Sequence, residues 1–106
     1  MTTFDDREKA FETKFQHDED LLFRIRARRD RLAGEWAADL MGLTGAEAEA
    51  YAREIVDTDI AMPGPHDIRD RLRADLHAHG VDISDHRVEK QMAHFLDIAR
   101  QHVTRT

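Results

Sequence analysis

The stretch Phe4–Leu40, FDDREKAFETKFQHDEDLLFRIRARRDRLAGEWAADL, decides the fold. With Phe4 at angle zero and about 100° of helical turn per residue, Phe11, Phe15, Leu22, Ile25, Trp36 and Leu40 fall on one side. As one helix the stretch is about 55 Å long at roughly 1.5 Å per residue. The next helical segment, about Thr44 to Ala61, is only about 26 Å long by the same rise. After a tight turn at Gly42 it covers the C-terminal half of the first helix and no more. The N-terminal half, with three phenylalanines, has no neighbour within the chain. An apolar stripe left in that state awaits another protein.

Three more helical segments follow, and no strand signal interrupts them. The first helix ends near Met41, where Gly42 supplies a left-handed C-cap and Leu43 folds back on the last turn. Thr44-Gly45-Ala46-Glu47 reads as a capping box for the second helix, whose stripe is Ala48, Tyr51, Ala52, Ile55 and Val56. Ala61-Met-Pro-Gly-Pro65 breaks it. A third helix starts near Pro65, a favoured first-turn residue, runs on Ile68, Leu72 and Leu76, and stops at Gly80. Ser84 caps a fourth, with Asp85 complementing the helix dipole and a stripe of Val88, Met92, Phe95, Leu96, Ala99 and Val103. Connections this short favour antiparallel neighbours. The expected fold is all-α: an antiparallel four-helix bundle over residues 21–106, with residues 1–20 as a protruding, flexible or frayed helical segment. Three rings cannot hold that charged segment in order unless something covers them, so it is expected to order on binding.

The chain has 106 residues, the size of one domain. It has no cysteine, which excludes disulfides, thiolate metal sites and cysteine nucleophiles. The N-terminus lacks an apolar signal core and no segment is long enough to span a membrane, so a cytoplasmic protein without direct membrane insertion is expected. Charge comes in blocks. Residues 1–20 hold seven acids and three bases, residues 24–31 five arginines and one aspartate, and residues 35–59 seven acids against Arg53 alone. Block polarity with a net charge of −6 points to protein docking or internal pairing, not to nucleic acid.

The chemical motifs are weak. None of the residues three before the seven histidines is a carboxylate, so no Glu-x-x-His metal pair exists and no metal is expected. His17, amid Asp18, Glu19 and Asp20, is a candidate pH sensor. The arginine block admits two readings: pairing with Glu54, Asp57 or Asp59 of the second helix, or phosphate and nucleotide contact by Arg24, Arg28 and Arg31. Arg29 falls on the apolar stripe and is expected to snorkel or to pair across the bundle. Trp36 is read as a core anchor. Gly34 in mid-helix calls for close approach of another helix. No nucleophile motif, phosphate-cradling loop or acid–base pair is present, so the chain is not expected to be an enzyme and no cofactor is called for, ATP or ADP being the one ligand the arginines would admit.

The run FDDREKAFETKFQHDED, then FRIRARRDRLAGEWAADLMG, then TGAEAEAYAREIV, resembles the zeta subunit of alphaproteobacterial F-type ATP synthases. The likeness covers nearly the whole chain and is densest from Phe4 to Val56. Pro63-Gly64-Pro65 departs from the pattern, and Asp30 stands where an asparagine is expected. The resemblance implies an inhibitor of ATP hydrolysis whose N-terminal segment enters an interface between α and β subunits and reaches the γ rotor. Phe4, Phe11 and Phe15 would be its apolar anchors, and Asp5, Arg7, Glu8, Glu12 and Lys14 its register-setting polar contacts. The free protein is expected to be a monomer. The rival readings are a helix-docking adaptor for another cytoplasmic protein and a nucleotide-binding helical bundle.

Overall fold

A computed structural model describes residues 3–62, 64 and 67–104, with side chains described from Asp18 onward. Four helices account for them: α1 Thr3–Leu40, α2 Gly45–Ala61, α3 Asp67–Ala78 and α4 Asp85–Thr104. No strand occurs among the described residues. No described helix is long and apolar enough to cross a membrane. The molecule measures 64 × 25 × 23 Å. Its long axis is set by α1, whose 38 residues outrun the 17 of α2 and the 20 of α4.

The helices are packed as a bundle. From α1 to α2, Arg26 reaches Asp59 and Gly34 lies against Ala52. From α1 to α4, Arg28 reaches His102 and the Trp36 ring lies 6.2 Å from that of Phe95. From α3 to α4, Arg69 pairs with Glu89 and Arg73 with Asp85. At each of these seams the partner's number falls as the first residue's number rises. The buried cluster joins Ala33 and Ala37 of α1, Ile55 of α2, Ile68, Leu72 and Leu76 of α3, Ile83 of the last loop and Val88 of α4. Trp36, Tyr51, Met92 and Phe95 pack around it.

Glycine closes two helices as their sequences require. At the end of α1, Gly42 takes φ +78°, its N–H donates to the Asp39 carbonyl, and the Leu43 N–H donates to that of Ala38. Gly80 repeats the arrangement after α3, with Val81 donating to Leu76. Both are Schellman caps, which satisfy carbonyls that the helix end leaves free. Ser84 caps α4 through its Oγ, which accepts the Arg87 N–H at 3.2 Å. Thr44 does not complete the expected capping box. It sits at the N-cap of α2, but its hydroxyl makes no capping bond. Gly45 takes φ +58°, so the backbone is not helical where a capping box needs its first helical residue. The expected helix start at Pro65 lies outside the described residues.

The single stripe of α1 proves to be two surfaces. The residues it buries in the bundle are Ile25, Asp30, Ala33, Gly34, Ala37 and Ala38. On the angular scale used above these span from about −60° to about 160°, centred well away from the phenylalanine line. Leu22 and Leu40, both on that line, are 57% and 42% exposed. The reason is packing distance. The bundle half of α1 meets its neighbours through alanine and glycine, which let backbones approach closely. Large side chains would hold them apart.

Candidate functional site

The residues singled out as a partner-binding segment, Phe4, Asp5, Arg7, Glu8, Phe11, Glu12, Lys14 and Phe15, all belong to the N-terminal half of α1. Their backbone is helical, which keeps positions 4, 11 and 15 within about 40° of one another around the axis. Their side chains, and that of His17, lie outside the described residues. Where description of the side chains begins, Asp18, Glu19 and Asp20 are exposed, and the first buried position is Ile25.

Between the two halves of α1 lies an exposed apolar patch. Leu22 and Phe23 on α1, Ile60 at the end of α2 and Met62 beyond it are each more than half exposed. Phe23, Ala27, Val56 and Ile60 also line a pocket of about 250 Å³ between α1 and α2, whose polar side chains are Arg26, Asp30 and Asp59. Periodicity did not reveal this pocket, because Phe23 and Ile60 fall off the main stripes and meet only when the helices cross.

The arginine block divides among several partners. Arg26 donates to Asp59 at 2.9 Å. Arg29 donates two bonds to one oxygen of Asp30, at 3.0 and 2.8 Å, and approaches Asp59 at 3.6 Å. Of the three acids expected to receive the block, only Asp59 does so. Glu54 belongs instead to Arg71 of α3, at 3.1 Å, in a network that includes Thr58, Asp75 and the Tyr51 hydroxyl. Facing α3, Glu54 is simply nearer to Arg71 than to α1. Burial, with the bond to Asp75, pushes the Tyr51 phenol above its ordinary range.

Arg24, Arg28 and Arg31 share one face of α1 at helical spacing. They are unequally engaged. Arg24 is exposed, Arg28 leans on His102 at 3.4 Å, and Arg31 pairs with Glu35 at 3.1 Å and lies 3.9 Å from Glu49. Trp36 packs at the edge of the buried cluster. Among the described residues no group of three or more histidines and acids is placed to hold a metal ion.

Asp30 is the residue that sequence reasoning missed as a site. It is 1% exposed, and burial, aided by a hydrogen bond to Asp59 and opposed by the charge of Arg29, lifts its carboxyl to about 7. The only signal in the sequence was the departure itself, an acid where the pattern calls for an amide.

These features define a class: a small helical protein, without a catalytic constellation among its described residues, that carries one helix far beyond its own bundle. The chain belongs to the ATPase inhibitor subunit zeta family, whose model matches residues 1–102. It is accordingly a regulatory protein that acts on an ATPase's catalytic components, and not an enzyme. No curated protein matches it.

Proposed function

We propose that the chain inhibits ATP hydrolysis by a rotary ATP synthase by inserting the N-terminal half of α1 at an α/β interface of the cytoplasmic head, against the γ rotor. The observation that carries this reading is the length of α1, which leaves about twenty residues beyond the reach of α2 and α4 in a chain of an ATPase-inhibitor family. In this reading residues 21–106, an antiparallel bundle, anchor the segment of residues 1–20, and the free protein is a monomer. Phe4, Phe11 and Phe15 fill the groove. Asp5, Arg7, Glu8, Glu12 and Lys14 set its register at the rim, where charged contacts govern specificity more than affinity.

The test is ATP hydrolysis by a purified alphaproteobacterial synthase head titrated with the full chain and with single variants. Phe11→Ala and Phe15→Ala are each expected to raise the inhibitory concentration at least about tenfold, equivalent to about 1.4 kcal/mol. Wild-type potency in both variants counts against the groove model. His17 adds a pH response: His17→Ala is expected to flatten the change in affinity for the head between pH 6 and 8, and an unchanged profile removes that role.

The rival nucleotide-binding reading requires three available guanidinium groups, and Arg31 is already engaged by Glu35. Chemical shifts that stay still on addition of ATP and Mg²⁺ retire it. The adaptor reading predicts that a peptide of residues 1–20 captures neither α nor β subunits.

A further inference from the structure

The charged cluster beneath the α1–α2 pocket contains two buried acids that share Arg29. Asp30 Oδ1 accepts both Arg29 bonds, while the buried Oδ2 meets no donor. Yet the Asp30 carboxyl is within hydrogen-bonding reach of the Asp59 carboxyl. Asp59 is itself only 6% exposed, with Arg26 on one oxygen and Arg29 near the other. Two carboxylate oxygens can bond only if a proton lies between them; without it they repel, and desolvation sharpens the repulsion. The other charged groups nearby are already committed. Arg71 of α3, bonded to Thr58 beside Asp59, is held by Glu54 and Asp75. His102 of α4 is on Arg28. The rest of the pocket's lining is apolar, so a second negative charge there has only Arg29, shared between both acids, and Arg26, already held by Asp59, to offset it.

We propose that Asp30 and Asp59 form a proton-operated latch between α1 and α2. One proton shared by the two carboxyl groups ties the helices together at the end of the bundle from which α1 departs, and its loss sets two carboxylates against each other across the crossing. The latch sits next to exposed Leu22, Phe23, Ile60 and Met62, where the free half of α1 begins. Its effect on activity rests on the inhibitory reading given above: a loosened base no longer holds the segment in position, so inhibition weakens as the proton leaves.

The sign follows from linkage. The folded chain holds the Asp30 proton up to about pH 7, whereas the unfolded chain releases it near the ordinary aspartate value of 3.8. Stability therefore declines as pH rises from about 4 to about 7 and levels off above. Asp30→Asn places a permanent amide donor against Asp59. Relative to wild type it is expected to lose this decline and to melt at a higher temperature at pH 8.

Three measurements decide the proposal. Carboxyl ¹³C titration of the full chain should give Asp30 a midpoint near 7, which Asp59→Asn moves downward. A midpoint in the ordinary carboxylate range, or one indifferent to Asp59→Asn, overturns the latch. Thermal melts from pH 5 to 8 should show the wild type falling against Asp30→Asn, and parallel curves overturn it. In hydrolysis assays the inhibitory concentration of wild type should rise at least about fivefold from pH 6 to pH 8, a usual size for coupling between sites, while Asp30→Asn changes less. His17 is common to both chains and cancels in that comparison. If neither chain inhibits at any pH, the inhibitory reading fails, and the titration and melts still judge the latch. Identical pH profiles from two inhibiting chains reject its regulatory role.

Discussion

A chain beginning at Leu21 is expected to show no inhibition of ATP hydrolysis at concentrations where the full chain inhibits completely, while its thermal melt stays close to that of the full chain. The second half of this expectation gives the first its meaning. Every described buried residue lies at Ile25 or later, and so does the cluster that unites the four helices. Removing residues 1–20 takes nothing from that described core and shortens α1 up to a stretch where Asp18, Glu19 and Asp20 are exposed. Stability rests on apolar area withdrawn from water, at roughly 25 cal/mol per Å², and the truncation leaves the described core's share untouched. Circular dichroism and the melt establish that the shortened bundle is folded. The hydrolysis titration then reports on the segment alone. Retained inhibition would move the active surface to the bundle itself, with the Leu22, Phe23, Ile60 and Met62 patch the first place to look.

The helices and their ends were largely legible because local chemistry sets them. Gly42 and Gly80 terminate helices through a backbone conformation that disfavours other residues, and Ser84 starts one through its hydroxyl. The excess length of α1 over α2 needed only counting. The apolar period of α3 was read correctly at Ile68, Leu72 and Leu76, all buried, because this short helix presents one face to the core. The period of α1 misled, because α1 is flanked by α2 and α4 at once. A helix with two neighbours buries a broad arc, and a buried arc built from alanine and glycine has no large residues to announce it. That is why the stripe took in Leu22 and Leu40, while Asp30, about 80° off the line, was not placed at all. The Asp30–Asp59 pair is a product of the crossing, 29 positions apart in the chain and invisible to any local pattern. Thr44 failed for the opposite reason: the motif was local and present, but Gly45 bent the backbone away from the geometry it needs.

Gly34→Ala is expected to destabilise the bundle even though alanine is the better helix former, and Gly34→Val to destabilise it by more. On propensity alone the alanine substitution should gain about 1 kcal/mol. Against this, a Cβ at position 34 would stand 2.7 Å from the Ala52 Cα, closer than such atoms approach in folded proteins, and 3.3 Å from its Cβ. The nearest obstacle is backbone, so no rotamer change relieves it. The whole of α2 must move away from α1. That displacement strains Ile55 in the core, and it strains the Asp59 contacts one turn further on. Overpacking of this kind costs about 1–3 kcal/mol, and in a domain of this size each kcal/mol lowers the melting temperature by roughly 4–8 °C. The variant's helix content below the transition should stay unchanged, since each helix remains compatible with its sequence. Only the cooperativity and midpoint of unfolding should fall. Ala52→Gly in the same chain removes the 3.3 Å contact and leaves the 2.7 Å one, so it should restore part of the loss and not all of it. A Gly34→Ala chain that melts at or above the wild-type temperature would mean that α1 and α2 do not approach this closely in solution, and the placement of Asp59 against Asp30 would then need revision with it.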